Sequence, residues 1–94
     1  MKRLIKTHHF IERSWERGYH QSDINKLIDK MENKNKKHFY LINKNALTKL
    51  DIKRTKARYL VIVVRDSVLL TLFEVDNLYQ FLKQNRNVDF STIN

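Results

Sequence analysis

Residues 59–75 read YLVIVVRDSVLLTLFEV, and this stretch decides the fold. Tyr59–Val64 and Val68–Val75 are almost wholly apolar and rich in β-branched residues, as strands covered on both faces are. Arg65-Asp66-Ser67 leaves room only for a tight connection between them. The stretch therefore predicts a β-hairpin at the centre of a sheet, with both of its faces buried.

Two helices are predicted upstream of the hairpin. Thr7 can N-cap the first, which runs to about Arg17, and Gly18, the only glycine, can end it in a left-handed conformation. Ser22 is predicted to N-cap the second. The apolar stripe of that helix has the spacing i, i+3, i+4, i+7 and consists of Ile24, Leu27, Ile28 and Met31.

The remaining elements are predicted from shorter patterns. Phe39–Ile42 indicates a short strand, and Leu47–Lys53 alternates loosely, which is typical of a strand with one face in water. Asp76 can cap a last helix, whose apolar face is formed by Leu78, Tyr79, Phe81 and Leu82. The tail, residues 84–94, is either loose or lies along the sheet.

Together these elements predict an α+β fold. Two N-terminal helices pack on a roughly four-stranded antiparallel sheet, and a C-terminal helix follows. A chain of 94 residues suits a single domain over residues 1–94, with its core at about residues 7–83. The hairpin, apolar on both faces, is also compatible with a homodimer.

The charge is unevenly distributed. Nineteen lysines and arginines outnumber ten acids, for a net charge of +9. Residues 1–58 hold 16 bases and 6 acids, whereas residues 59–94 hold 3 and 4. This asymmetry favours a polyanionic partner, either nucleic acid or an acidic protein. The simpler alternative is that lysines only keep a small protein in solution.

Several classes of function are excluded or disfavoured by composition. The absence of cysteine excludes disulfides and thiolate metal sites. No apolar run approaches the roughly 20 residues that span a membrane, and the start lacks a signal-peptide core, so we expect a cytoplasmic protein. No metal is expected, because the four histidines have no recognised zinc spacing; they are His8, His9, His20 and His38. No cofactor is expected, because the sequence contains no glycine-rich phosphate-binding loop.

His9, Arg13 and Arg17 form a stripe with spacing i, i+4, i+8 on the first helix. Cleavage of RNA without a metal needs a group that moves protons and fixed cations that stabilise the phosphorus transition state. Histidine titrates in the useful pH range, and arginine presents a planar fork to phosphate oxygens. On spacing alone, an ordinary solvated basic face with i, i+4 ion pairs is the simpler interpretation.

A second group of residues has the composition of a nucleic-acid contact surface. Lysines and arginines on a wet sheet face could contact phosphates, and Tyr40 and Tyr59 could stack an unpaired base, although tyrosines on strands are more often part of the core. The basic members of the group are Lys49, Lys53, Arg54, Lys56 and Arg58. Thr71, alone among apolar residues in its strand, could bond a phosphate or orient the histidine.

The motif His9-x3-Arg13-x3-Arg17-Gly18 and the run Leu70-Thr71-Leu72-Phe73 resemble small bacterial and phage domains of the BrnT/RelE-like toxin superfamily. The resemblance covers about Thr7 to Glu74. It implies a barnase/RelE-type α+β fold and a metal-independent endoribonuclease, commonly the toxin of a toxin–antitoxin pair. His9, Arg13, Arg17 and Thr71 match the family positions.

The α1 stripe and the resemblance together predict an endoribonuclease, and the resemblance implies that it acts as a toxin. In this hypothesis His9 is the general acid or base, Arg13 and Arg17 clamp phosphate, and Thr71 orients them. RNA is the expected substrate, and an acidic or DNA-binding antitoxin is the expected protein partner. The alternatives are a non-catalytic nucleic-acid-binding module and a protein-interaction module of a mobile element, because fold alone does not determine function.

Overall fold

Five strands and four helices make up the part of the chain that the computed structural model describes, residues 4–52 and 56–93. In chain order they are β1 (Ile5–Lys6), α1 (His8–Glu16), α2 (Gln21–Ile28), β2 (His38–Asn43), α3 (Lys44–Lys49), β3 (Tyr59–Arg65), β4 (Val68–Val75), α4 (Leu78–Gln84) and β5 (Asp89–Ile93). The predicted α+β class is confirmed. The predicted sheet is wrong in detail, because the sheet has five strands and is mixed rather than antiparallel.

The strands lie in the order β1-β4-β3-β2-β5. β3 is antiparallel to both β2 and β4, whereas β1 is parallel to β4 and β5 is parallel to β2. The central hairpin of β3 and β4 is confirmed. Asp66 and Ser67 form its turn with φ of 51° and 68°, the positive values that a two-residue type I′ turn requires.

Helices cover the sheet on both faces, as the apolar hairpin predicts. One face carries the major core, in which Phe10 of α1 and Ile24 of α2 pack with strand residues such as Ile42, Leu60, Ile62 and Leu72. The other face carries the minor core, in which Phe81 and its neighbours on α4 pack on Phe39, Leu41, Val61 and Val63. The two N-terminal helices therefore share one face, and the C-terminal helix occupies the other.

The predicted ends of α1 are confirmed. Thr7 Oγ1 accepts a hydrogen bond from Phe10 N at 3.0 Å and donates one to Leu69 O at 2.9 Å, so the cap also fastens the helix to β4. Gly18 has φ of 80°, the left-handed conformation predicted after the helix. The predicted cap of α2 is wrong, because that helix starts at Gln21 after His20 rather than after Ser22.

The predicted strand Leu47–Lys53 is wrong, because its first residues belong to the helix α3. Asn43, at the end of β2, accepts a hydrogen bond from Ala46 N at 2.8 Å and so caps a helix. Ala46, Leu47 and Leu50 then bury the same side of α3 against the major core. Helical spacing of apolar residues therefore overrides the loose alternation that indicated a strand.

The C-terminal segment belongs to the sheet. Asp89–Ile93 forms β5, and Ile93 is buried in the major core, which therefore extends beyond residue 83. Asn77, rather than the predicted Asp76, caps α4 by accepting from Gln80 N at 3.0 Å. Within the described ranges, no helix has both the length and the apolar character needed to cross a membrane.

Candidate nucleic-acid interface

The predicted stripe lies along one side of α1. His9 is exposed near the start of the helix, Arg13 is partly buried, and Arg17 is the C-cap residue. At 1.5 Å of rise per residue, the Cα atoms of His9 and Arg17 are separated by about 12 Å along the axis. The three groups therefore form a line rather than converging on one point, and a ligand that contacts all of them has to be extended.

Both arginines of the stripe have acidic neighbours. Arg13 Nη1 lies 3.1 Å from Glu16 Oε2 on the surface of α1, and Arg17 Nη1 lies 3.4 Å from Glu74 Oε1 in β4. In the Arg13 pair, Glu16 is exposed, and such a surface pair contributes about 0–1 kcal/mol, because water already solvates its charges well. A phosphate group can therefore compete for the Arg13 guanidinium at small cost, whereas the Glu74 side chain is only 15% exposed and keeps its place beside Arg17.

Glu74 gathers basic residues from separate segments at one end of the sheet. While one oxygen faces Arg17, Oε2 accepts hydrogen bonds from Lys56 N and Ala57 N, each at 3.2 Å. Asp76 Oδ1 likewise accepts from Arg58 N at 3.2 Å. The two carboxylates therefore hold residues 56–58 beside the end of β4. We call Arg17, Lys56 and Arg58 the sheet-end cluster.

An open cleft of about 670 Å³ adjoins this cluster. It lies where β3 begins and β4 ends, since Tyr59 pairs with Val75 there. Tyr79 on α4, which was predicted to face the core, is instead 79% exposed at the cleft. The residues that line the cleft are Arg58, Tyr59, Asp76, Asn77, Leu78 and Tyr79. We call it the tyrosine cleft; two of its residues, Arg58 and Tyr59, were predicted from sequence to bind nucleic acid.

Other predicted contact residues lie elsewhere. Lys49 is exposed at the end of α3, so its predicted place on a wet sheet face is wrong. Lys53 and Arg54 fall outside the described residues. Tyr40 is buried, and its hydroxyl donates to Glu32 O at 3.0 Å and accepts from Glu32 N at 2.9 Å, so it is a core residue and not a stacking surface.

Thr71 is not brought together with His9. It pairs across the sheet with Val63, whose side chain lies in the minor core, and residues directly opposite in a sheet project to the same face. α1 packs on the other face. An irregularity in the register between Val63 and Val64 explains this placement, because one extra residue in β4 changes which face the following side chains occupy.

Sequence reasoning missed the residues that organise the site, namely Glu74, Asp76 and Asn77. Glu74 did leave a signal, since it is the one charged residue inside the apolar run Val68–Val75. A carboxylate in such a run needs hydrogen-bond donors, and the structure supplies them from residues 56 and 57 and from Arg17. Asp76 was noticed only as a possible helix cap.

A second polar contact lies at the opposite end of the sheet. The His38 ring is buried, with Nε2 2.8 Å from Ser91 Oγ and its centroid 4.8 Å from that of Tyr40. Burial lowers the pKa of His38 below its ordinary value of 6.5, the charge of Lys34 lowers it further, and Asp89 opposes both. This contact ties β5 to β2, and it is remote from the sheet-end cluster.

The described ranges contain no group of three or more histidine, aspartate or glutamate side chains placed to share a metal ion. In comparisons with known proteins, no protein-family model, no curated protein and no solved structure matches this chain. The resemblance to BrnT/RelE-like domains therefore rests on the quoted motif residues alone.

Proposed function

We propose that this protein binds single-stranded RNA at the sheet-end cluster and the tyrosine cleft. One observation carries the proposal: Glu74 and Asp76 hold Arg17, Lys56 and Arg58 together beside a cleft with two tyrosines. Cations contact the sugar–phosphate backbone, and exposed aromatic rings stack bases. The two kinds of group occur side by side here, as a strand with unpaired bases requires.

The charge of the chain supports an anionic ligand. A net charge of +9 attracts a polyanion, and 16 of the 19 bases lie in residues 1–58, which include Arg17, Lys56 and Arg58. On α1, the exposed carboxylate of Glu16 is weakly bound to Arg13, so phosphate oxygens can replace it there. Two of the three cations of the cluster, Lys56 and Arg58, are held through backbone N–H groups, which leaves their side chains available to a ligand.

The aromatic residues favour a single strand over a duplex. In a duplex the bases are stacked on one another, so a protein ring cannot reach their faces. Tyr79 is largely exposed at the cleft, and stacking on such a ring contributes about 1–3 kcal/mol per base.

The test is a salt titration of binding, with fluorescence anisotropy of a labelled single-stranded RNA and of the same sequence as a duplex. Three phosphate contacts predict that log K for the single strand falls with log salt with a slope of about −2, since each contact contributes about −0.7. The single strand should bind more tightly than the duplex. Binding that is insensitive to salt, or tighter to the duplex, would contradict the proposal.

Metal-independent cleavage of RNA is the second candidate function. Arg17 belongs both to the sheet-end cluster and to the α1 stripe, so a strand bound at the cluster can continue along α1 toward Arg13 and His9. His9 is exposed at the far end of that line, and in this proposal it exchanges a proton with such a strand. This activity would make the protein a cytoplasmic toxin, which an acidic or DNA-binding antitoxin inhibits by masking the basic surface.

A further inference from the structure

The tyrosine cleft contains a hydrogen-bond acceptor that a phosphate group cannot use. Asp76 projects into the cleft, and one of its oxygens, Oδ1, already accepts from Arg58 N. An ionised carboxylate has about four acceptor positions and no donor. The remaining positions repel phosphate oxygens but attract N–H and O–H groups, so the part of an RNA ligand that lies beside Asp76 must present a donor. Every ribonucleotide carries a 2′-hydroxyl donor, so only a donor on the base can distinguish one nucleotide from another.

Nucleobases differ in this respect. Cytosine, adenine and guanine each carry an exocyclic amino group, and carboxylate side chains accept hydrogen bonds from such groups, as from N4 of cytosine. Uracil has a carbonyl oxygen at the position where cytosine has its amino group, and that oxygen would face the carboxylate with like charge. Cytosine and uracil have the same ring size, so the difference between them isolates the contribution of the amino group from that of stacking.

We propose that the tyrosine cleft holds one unpaired base that carries an exocyclic amino group, and that Asp76 selects it against uracil. The base stacks on Tyr79, its amino group donates to Asp76, and the Arg58 side chain contacts the adjoining phosphate. This inference rests on the proposed RNA binding and specifies which strands the site prefers.

The geometry of the cleft supports this division of roles. The hydrogen bond from the Arg58 backbone N–H to Asp76 Oδ1 fixes the Arg58 backbone beside the carboxylate, and both residues line the cleft. Tyr79 lies three residues after Asp76, in the first turn of α4, and both line the cleft. A cation, an acceptor and an aromatic ring therefore line one cleft, and these are the groups that contact the phosphate, the amino group and the face of a nucleotide's base.

The experiment compares the binding of oligocytidylate and oligouridylate RNAs of equal length by fluorescence anisotropy. One charged hydrogen bond predicts that the cytidylate binds about tenfold more tightly. Asp76→Asn should reduce this ratio to near one, because asparagine offers a donor as well as an acceptor. The variant keeps Oδ1 for Arg58 N, and its thermal melting, compared with that of the parent, checks the fold.

Asp66→Asn is the matched control. It makes the same change of charge in the β3–β4 turn, at the opposite end of the sheet, and asparagine tolerates the positive φ of that position. It should leave the preference for cytidylate unchanged. Equal binding of both RNAs by the parent protein, or an unchanged preference in Asp76→Asn, overturns the selection by Asp76 while RNA binding stands. Binding of neither RNA overturns the proposed function and this inference with it.

Discussion

The guanidinium of Arg17 lies 3.4 Å from the carboxylate of Glu74 and joins the end of α1 to β4 across 57 positions of sequence. The Glu74 side chain is only 15% exposed, and its second oxygen holds the backbone of Lys56 and Ala57. One carboxylate of β4 therefore contacts both the end of α1 and residues 56–57, and we expect the arrangement of the candidate site to depend on it.

Replacing Glu74 with alanine should destabilise the protein by about 1–3 kcal/mol, because two backbone N–H donors and one arginine lose their acceptor. The measurement is the free energy of unfolding in urea. Glu16→Ala removes the exposed partner of Arg13 and should change stability by no more than about 0.5 kcal/mol. If both variants unfold at the same urea concentration as the parent, Glu74 does not organise this end of the sheet.

The sequence predicted the centre of the fold better than its edges. The hairpin and the ends of α1 were predicted correctly, because long apolar runs, Thr7 and Gly18 act locally. β1 has only two residues, and β5 has adjacent polar residues at Ser91 and Thr92 that break the alternation of a strand, so neither leaves a strong pattern. Both are strands because a neighbouring strand offers backbone partners, which is a tertiary effect.

The candidate site was predicted only in part for the same reason. Arg17, Lys56 and Arg58 were named as basic residues, but Glu74 holds the first two and Asp76 holds the third, and both acids are distant in sequence from Arg17. The face that Thr71 occupies depends on one irregularity of register in β4, and alternation alone cannot reveal it.

Replacing Tyr79 with leucine should weaken binding of single-stranded RNA by about fivefold or more, since a stacked base contributes about 1–3 kcal/mol. Leucine retains apolar bulk and suits a helix, so stability should be nearly unchanged. The measurement is the dissociation constant by fluorescence anisotropy. Phe90→Leu removes another exposed ring, on β5, and should bind RNA as the parent does. Equal loss in both variants would show that the cleft has no special part in binding.

Replacing Arg58 with glutamine should reduce the salt dependence of RNA binding. Loss of one phosphate contact lowers the magnitude of the slope of log K against log salt by about 0.7 for a single strand. The control is Lys30→Gln, an equal change of charge at an exposed position after α2. Its slope should equal that of the parent. A slope that is unchanged in Arg58→Gln would place the phosphate outside the sheet-end cluster.

His38 should make stability depend on pH below its ordinary pKa. Burial, the first cause, lowers the folded-state pKa of His38 below 6.5, so between the folded value and 6.5 the unfolded chain binds the extra proton. The contribution of neutral His38 to the free energy of unfolding is therefore complete above pH 6.5 and is lost as pH falls through the folded-state pKa of His38. It amounts to about 1.4 kcal/mol for each unit by which the two values differ.

The measurement for His38 is urea unfolding at several pH values between about 5.5 and 7.5, where few carboxyl groups titrate. His38→Gln can still pair with Ser91 and does not titrate, so its stability should vary less with pH than that of the parent. The difference between the two proteins isolates His38 from the exposed histidines. Parallel pH profiles for the parent and the variant would exclude this linkage.

The histidines at the start of α1 provide the test of cleavage. If His9 transfers a proton to or from the RNA, His9→Ala should lower the cleavage rate by about 10²–10⁴-fold, the usual effect of removing a general acid or base. His8→Ala is the matched control, because its side chain points about 100° away on the helix and pairs with Glu12 at 2.9 Å. It should cleave at nearly the parent rate.

The reaction should proceed in EDTA, and attack by the 2′-hydroxyl should leave 2′,3′-cyclic phosphate ends, which mass spectrometry of the products identifies. Cleavage that survives His9→Ala, or that stops in EDTA, would contradict the proposed chemistry. It would not contradict salt-dependent binding at the sheet-end cluster, since Arg17, Lys56 and Arg58 do not depend on the imidazole.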